Sequence, residues 1–479
     1  MTTGVKSKRG VARLLGVLAL ALLGGCATGG VKPTSRETGQ VQAVVERWIE
    51  ALGGRAVLEQ VRGIEVRGTV EVAEGGPKFE VHTWQTAENF YRSELVFPNG
   101  LSLTEAFDGK IAWRKHSVLG FGFVPPAELA VALRRDSIRA ALNLTEDYPE
   151  RRLLADATVQ ERRCRVVRLT PRLGPVEHWF FDEENGRVLR IERWTAGSAA
   201  PDETLDFSDY RAVGGMRLPF GLKVKSPAAS YTVRRIEAVP NPLVGNSLWA
   251  APAEALREGF AVAKILDRYR EAVGGLAPLE RIHTRMTQQE VEIASAGVKY
   301  RMTLSQKLPN RVLVEQDLPG MGHVAQGYDG TTAWVNSDLQ GYRALKGTEL
   351  RQLLDNADLR TNTLLAERCP LRKLIGPREV NGRRAQVVAL ATMQGPAGLY
   401  YFGEEDGRLL RIESTVAAGP QGALAVVFDF ADFRAVDGVV MPFMTTATNP
   451  AMTSVTKVLS VKHNVPMADA LFKPRKDEP

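Results

Sequence analysis

The sequence predicts a mainly β, α+β protein in which one antiparallel sheet domain is present twice, each copy opened by a helix and interrupted by a helical insertion. Three observations carry this. Short apolar runs alternate with Gly, Pro and Asn breaks at strand-length spacing. A helical period appears only at the start of each copy and near its middle. The whole pattern recurs: Phe107-Asp-Gly-Lys-Ile-Ala-Trp113 returns as Tyr328-Asp-Gly-Thr-Thr-Ala-Trp334, an offset of 221 residues from Asp108 to Asp329. Asp-Gly between apolar runs is a hairpin signal, because a tight primed turn needs positive φ and Gly supplies it without steric cost.

The same offset relates Gly53-Gly54 to Gly274-Gly275, Glu128-Leu129 to Glu349-Leu350, and Asn185–Glu192 to Asp406–Glu413. Downstream, Asp209-Tyr-Arg-Ala-Val213 matches Asp432-Phe-Arg-Ala-Val436 at 223, so the second copy has a longer loop between Glu413 and Asp432. The 479 residues therefore divide into 1–25, 26–38, a first domain 39–252 and a second domain 253–475. Each domain is long enough for its own core.

Residues 1–25 combine a basic start, ending at Arg13, with the apolar run Leu14–Leu23. The run is too short to span a bilayer and suits a signal-peptide core. It closes on Leu23-Gly-Gly-Cys26, which resembles the lipobox of bacterial lipoproteins. That resemblance implies acylation of Cys26, by chains such as palmitate, and a membrane anchor. Ala27 in place of Asp resembles an outer-membrane address, so the expected location is the periplasmic face of the outer membrane. Residues 26–38 read as a flexible tether. Without the four basic residues of the signal segment, the formal charge of +7 falls to +3, which gives no footing for nucleic acid as a partner.

Val41, Val44, Val45, Trp48, Ile49 and Leu52 keep helical spacing up to the Gly53-Gly54 stop. In the second copy Arg270 replaces Ile49, which places that position at the edge of the stripe. Strands follow from Ile64 to Trp113, then a helix over Pro126 to Leu142, with a counterpart from about Thr348 to Leu365, then about six more strands. Each copy closes on an apolar-aromatic pair, Leu248-Trp249 and Leu471-Phe472. A curved sheet of this length exposes a large apolar face that the helices must fill or leave as a cavity.

No catalytic residues, cofactor or metal are expected. None of the six histidines recurs between the copies, and no paired His or Cys spacing suits zinc. Cys164 and Cys369 do not correspond, and read as buried free thiols. Asp108/Asp329 sit in turns. Asp206 and Asp209, three apart on a strand, should face opposite sides and form no acid/base pair. Recurring aromatics are the candidate ligand-binding residues: Trp113 and Trp334, Trp179 and Tyr400, Phe181 and Phe402. Trp179 and Phe181 share a strand face, as do Tyr400 and Phe402.

Glu50-Ala-Leu-Gly-Gly54, the hairpin Asp108 to Trp113, the hairpin Asp182 to Glu192 and the strand Asp209 to Pro219 resemble the outer-membrane lipoprotein-sorting (LolA/LolB-like) family. The resemblance covers both copies, roughly Val41 to Pro252 and Ala261 to Pro474. It implies tandem half-open antiparallel β-barrels, each with a helical lid over an apolar cavity that holds acyl chains. Family members are single domains, and this chain is a lipidated tandem. The function so implied is binding of lipid or lipoprotein acyl chains, in trafficking at the outer membrane. The alternative is a non-catalytic envelope scaffold or protein-binding module with filled cores.

Overall fold

The computed structural model describes residues 35–72, 76–194, 200–226, 230–320, 322–346, 349–350, 353–354, 357–360, 364–392, 397–417 and 423–474. Cys26, the signal segment 1–25 and most of the tether lie outside these residues. The chain divides into two compact units, the first reaching Leu256 and the second beginning at Arg257. The fold is mainly antiparallel β, as the alternating apolar pattern requires.

In the first unit, helix α1 spans Ser35–Ala51. It starts inside the stretch read as tether, so residues 35–38 are helical. Val41, Val45, Trp48 and Ile49 form its buried stripe. Ile49 is 1 % exposed, so that position is core and not an edge. In the second unit Arg270 meets the same demand by pairing with Glu367 at 2.9 Å. A short helix α2, Arg55–Gln60, follows.

Six strands come next: β1 Gly63–Val72, β2 Lys78–Thr86, β3 Tyr91–Val96, β4 Ser102–Phe107, β5 Ala112–His116 and β6 Gly120–Phe123. The helical insertion is broken into α3, Pro126–Asp136, and α4, Ala140–Asp147. Ser137 between them is extended, with ψ 119°. The single helix expected from Pro126 to Leu142 is thus two, and the apolar period alone did not reveal the break. The remaining strands are β7 Glu150–Leu153, β8 Ala157–Val159, β9 Arg162–Thr170, β10 Val176–Asp182, β11 Val188–Trp194, β12 Glu203–Val213, β13 Met216–Lys225 and β14 Ser230–Pro240.

All pairings in this unit are antiparallel. The order runs β6-β5-β4-β3-β2-β1 and on through β14-β13-β12-β11-β10-β9, with β7 and β8 both on the far side of β9. Among the described residues the sheet does not close on itself. It coils because extra residues interrupt the ladder. Register slips occur at Arg67/Gly68 and, opposite Phe180/Phe181, at Leu189. At Asp209 the ladder keeps its register, Ser208 opposite Gly221 and Tyr210 opposite Pro219, with Asp209 itself passed over. Each bulge bends its strand and increases the local twist. Asp209 takes a left-handed φ of 53° and its carboxylate binds Arg211 at 2.6 Å. Asp206 binds Arg190 at 2.7 Å, so each of the two carboxylates has its own arginine partner.

Helix α5, Ala253–Ala272, has its first turn in the first unit and the rest in the second, where α6, Ala277–Glu280, follows it. Strands β15 Thr284–Ile293, β16 Val298–Lys307, β17 Arg311–Leu318, β18 Gly322–Tyr328, β19 Ala333–Ser337 and β20 Gly341–Ala344 precede its insertion. Much of that insertion lies outside the described residues, and helix α7 is Leu365–Arg368. Then come β21 Leu371–Val380, β22 Arg383–Ala391, β23 Gly398–Gly403, β24 Leu409–Ala417, β25 Ala423–Val436, β26 Val439–Thr448 and β27 Thr453–His463. They pair in the order β20-β19-β18-β17-β16-β15 and on through β27-β26-β25-β24-β23-β22-β21. Part of the loop between Glu413 and Asp432 lies outside the described residues.

The Gly stop after α1 serves close approach as well as turning. Gly53 has φ 120°, and a Cβ there would stand 2.4 Å from the Gly215 carbonyl oxygen in the β12–β13 turn. The Arg217 amide donates to the Leu52 carbonyl at 2.8 Å beside it. Gly53→Ala is therefore expected to destabilise the first unit by about 1–3 kcal/mol, the scale of a forced backbone conformation. Denaturant unfolding checks this, and an unchanged midpoint would show that the two segments are not in contact.

Candidate functional site

The bulged sheet of the first unit leaves a cavity of about 280 Å³ beneath α1, α3 and α4. Its floor is aliphatic and aromatic: Ile64, Val66 and Val70 of β1, Leu205 and Phe207 of β12, Leu222 and Val224 of β13, and Tyr231 and Val233 of β14. Phe207 and Tyr210 both line it although three residues apart, with Asp209 between them at a left-handed φ of 53°; Val188 and Ile191 do the same across the bulge at Leu189.

Two polar walls flank that floor. One is built on β10–β12 and is charged. Glu177 is 2 % exposed. Its Oε1 accepts from Arg193 Nε at 3.1 Å, and its Oε2 accepts from the Tyr148 hydroxyl and the Trp179 indole N–H, each at 2.7 Å. Arg193 Nη1 reaches Glu203 at 2.5 Å. Burial by itself would push the Glu177 carboxyl up, but the Arg193 charge and these hydrogen bonds outweigh it and hold the group below its ordinary 4.5. Burial, reinforced by Glu177, pushes the Tyr148 hydroxyl well up, so it stays a donor.

The other wall comes from β2, β3 and α3. Thr83, Gln85, Ser93 and Glu128 face the cavity. Glu128, in the first turn of α3, binds Arg114 of β5 at 2.9 Å, and Arg114 also binds Glu105 at 2.5 Å. Arg114 is fully buried. Burial disfavours its charge, yet the two carboxylates outweigh that and leave it firmly protonated. Burial raises the Glu128 carboxyl, and the Arg114 charge only partly offsets this. This pair ties α3 to the sheet.

The aromatic residues read from the sequence fall in different places. Trp179 lines the cavity, edge-on to Trp48 at 5.2 Å. Phe181 is buried beside them in the core, 5.8 Å from Trp48. Trp113 does not line the cavity. It packs with Ala106, Phe121 and Ala255, and its indole N–H donates to the Trp249 carbonyl at 2.9 Å. In the second unit Trp334 is fully buried among Leu313, Ala325 and Phe472, and donates to the Phe472 carbonyl at 2.9 Å. These two tryptophans clasp the closing apolar-aromatic pair of their own unit, which is why both features recur. Tyr400 and Phe402 pack around Tyr269 and Val262 of α5. Phe402 also borders a hollow of about 330 Å³ with Ile265, Arg268 and Gly407.

Tyr148, Glu177, Arg193, Glu203 and Gln85 are absent from the sequence reading. Demanding recurrence removed three of them: the 221-residue offset sets Cys369 opposite Tyr148, Gly398 opposite Glu177 and Ser414 opposite Arg193. A signal was present. Glu177 shares its strand face with Trp179 and Phe181, and a carboxylate inside an aromatic face must be paired. Cys164 and Cys369 are buried thiols that are not disulfide-bonded. Asp108 and Asp329 are turn residues, each accepting backbone N–H groups, from Lys110 and Ile111 and from Thr331 and Thr332. Asp206 is spent on Arg190 at 2.7 Å.

No family model and no curated protein matches the chain. Solved structures do. A DUF1329 family protein from Desulfovibrio piger matches with 12% identity over 44% of this chain and 97% of its own, at a TM-score of 0.33. A LolA superfamily protein from Nitrosomonas europaea matches with 14% identity over 44% of this chain and 97% of its own, at 0.32. The lipoprotein LppX from Mycobacterium tuberculosis matches with 11% identity over 43% of this chain and 98% of its own, at 0.21. Each of these matches covers somewhat less than half the length of this chain.

Proposed function

We propose that the first unit binds an acyl chain or a lipidated partner in its cavity, and that the protein serves lipid or lipoprotein trafficking while anchored to the outer membrane through Cys26. The observation that carries this reading is the chamber itself. Protein interiors are close-packed and leave few voids larger than a water molecule. Here about 280 Å³ stays open over an aliphatic floor. That is close to the lower end of ligand pockets, about 300–1,000 Å³. A void of that size over an apolar floor forgoes packing contacts and destabilises the unit that holds it, so its presence points to an occupant. The lipobox-like Leu23-Gly-Gly-Cys26 supports the anchor, and the tandem of two such domains behind it forms the body of the lipoprotein.

The test is to purify the full chain with Cys26→Ser, extract it, and search for bound lipid by mass spectrometry. Titration with the fluorescent apolar probe N-phenylnaphthylamine follows. Lipid or probe should bind, and Val66→Trp, which fills the floor, should abolish binding while the protein stays folded. Absence of lipid together with no probe uptake would defeat the proposal.

A further inference from the structure

We propose that the chamber of the first unit selects amphiphiles whose polar end donates a hydrogen bond, and that Gln85 accepts it. This rests on the reading of the chamber as a lipid site. The two polar walls differ in what they leave unsatisfied. On the charged wall both oxygens of Glu177 already accept from Arg193, Tyr148 and Trp179, so that network asks nothing of a ligand. On the opposite wall Gln85 is 2 % exposed and lines the chamber, and its Oε1 has no hydrogen-bond partner among the described residues.

The amide orientation follows from its neighbour. Gln85 Nε2 lies 3.5 Å from the Leu133 carbonyl oxygen of α3. A carbonyl accepts and never donates, so the NH₂ end must face Leu133, and the oxygen is the end left without a donor. A buried acceptor without a donor is costly, and a ligand that supplies the donor recovers that cost on binding. The head group is therefore a hydroxyl, an amide N–H or an amine. A carboxylate head offers only acceptors and cannot satisfy the Gln85 oxygen. An ether or ester end leaves Gln85 as it was. Thr83 and Ser93 lie beside it, Glu128 is engaged by Arg114, and Arg134 of α3, which also lines the chamber, donates through Nη2 to the Leu173 carbonyl at 2.8 Å.

The experiment uses the full chain with Cys26→Ser, loaded with N-phenylnaphthylamine. Displacement by tetradecanol is compared with displacement by methyl tetradecyl ether, which keeps the chain and the oxygen but lacks the donor. The readout is the ratio of the two displacement constants, in the Gln85 protein and in Gln85→Leu. Their difference in water solubility cancels between the two proteins. The ratio should favour the alcohol by about tenfold more with Gln85 present, the value of one buried hydrogen bond. Gln85→Met, unbranched and close in length, serves as a second variant if the leucine fails to fold. A ratio that is the same in both proteins overturns the inference and leaves the chamber reading intact. Failure of both compounds to displace the probe overturns the chamber reading and the inference with it.

Discussion

Arg114→Leu should cost the first unit about 3–5 kcal/mol, because it strands Glu105 and Glu128 as carboxylates beside a buried apolar side chain. Arg114 is fully buried and binds both, at 2.5 and 2.9 Å. Glu128→Gln should cost much less. Arg114 keeps Glu105, and the substitution removes a carboxylate whose charge burial already opposes. The sign with pH follows. A carboxyl raised above its ordinary value favours the folded state most when protonated, so the Arg114→Leu deficit should narrow as pH falls into the acid range. Guanidinium unfolding followed by tryptophan fluorescence at several pH values measures both variants. Equal losses for the two would show that Arg114 does not bridge the carboxylates.

Glu177→Gln is the second large effect, expected at about 3 kcal/mol near neutral pH. The amide cannot match the charge of Arg193, and its NH₂ confronts donors that now lack an acceptor. Glu177 is held below its ordinary 4.5. Its stabilisation is therefore complete above that value and is lost as pH falls through the depressed folded value. Wild type and Glu177→Gln should differ most near neutrality and converge in acid. A gap that stays constant down to strongly acid pH would contradict the charged network described here.

Much of the fold was legible because its determinants are local. The stripe Val41–Ile49, the Gly53-Gly54 stop and the Asp108 turn each declare themselves through spacing and backbone demand. The left-handed backbone at Asp209 was not legible, since a single positive φ inside a strand leaves no mark on the apolar alternation. The cavity wall was missed for a different reason. Recurrence between the copies finds what both domains need to fold, such as Trp113 and Trp334 clasping Trp249 and Phe472. It discards what one domain alone carries, and Glu177 opposite Gly398 was lost that way. The same filter favoured Trp113 as a cavity residue, when its repetition reflects closure of the unit.

Helix α1 is stitched to the sheet at two turns. Gly53 abuts the Gly215 carbonyl, and a Cβ at Gly186 of the β10–β11 turn would stand 2.6 Å from the Arg47 carbonyl oxygen. Arg47 also donates to the Glu183 carbonyl at 2.7 Å. Such a helix cannot swing without dragging two hairpins, whereas α3 and α4, with the extended Ser137 between them, are held by the side chains of Glu128, Arg134 and Arg139. On the proposed reading of the chamber, entry and exit of a guest would then run through α3 lifting off Arg114, a matter of rates that is separate from the guest's affinity for the floor.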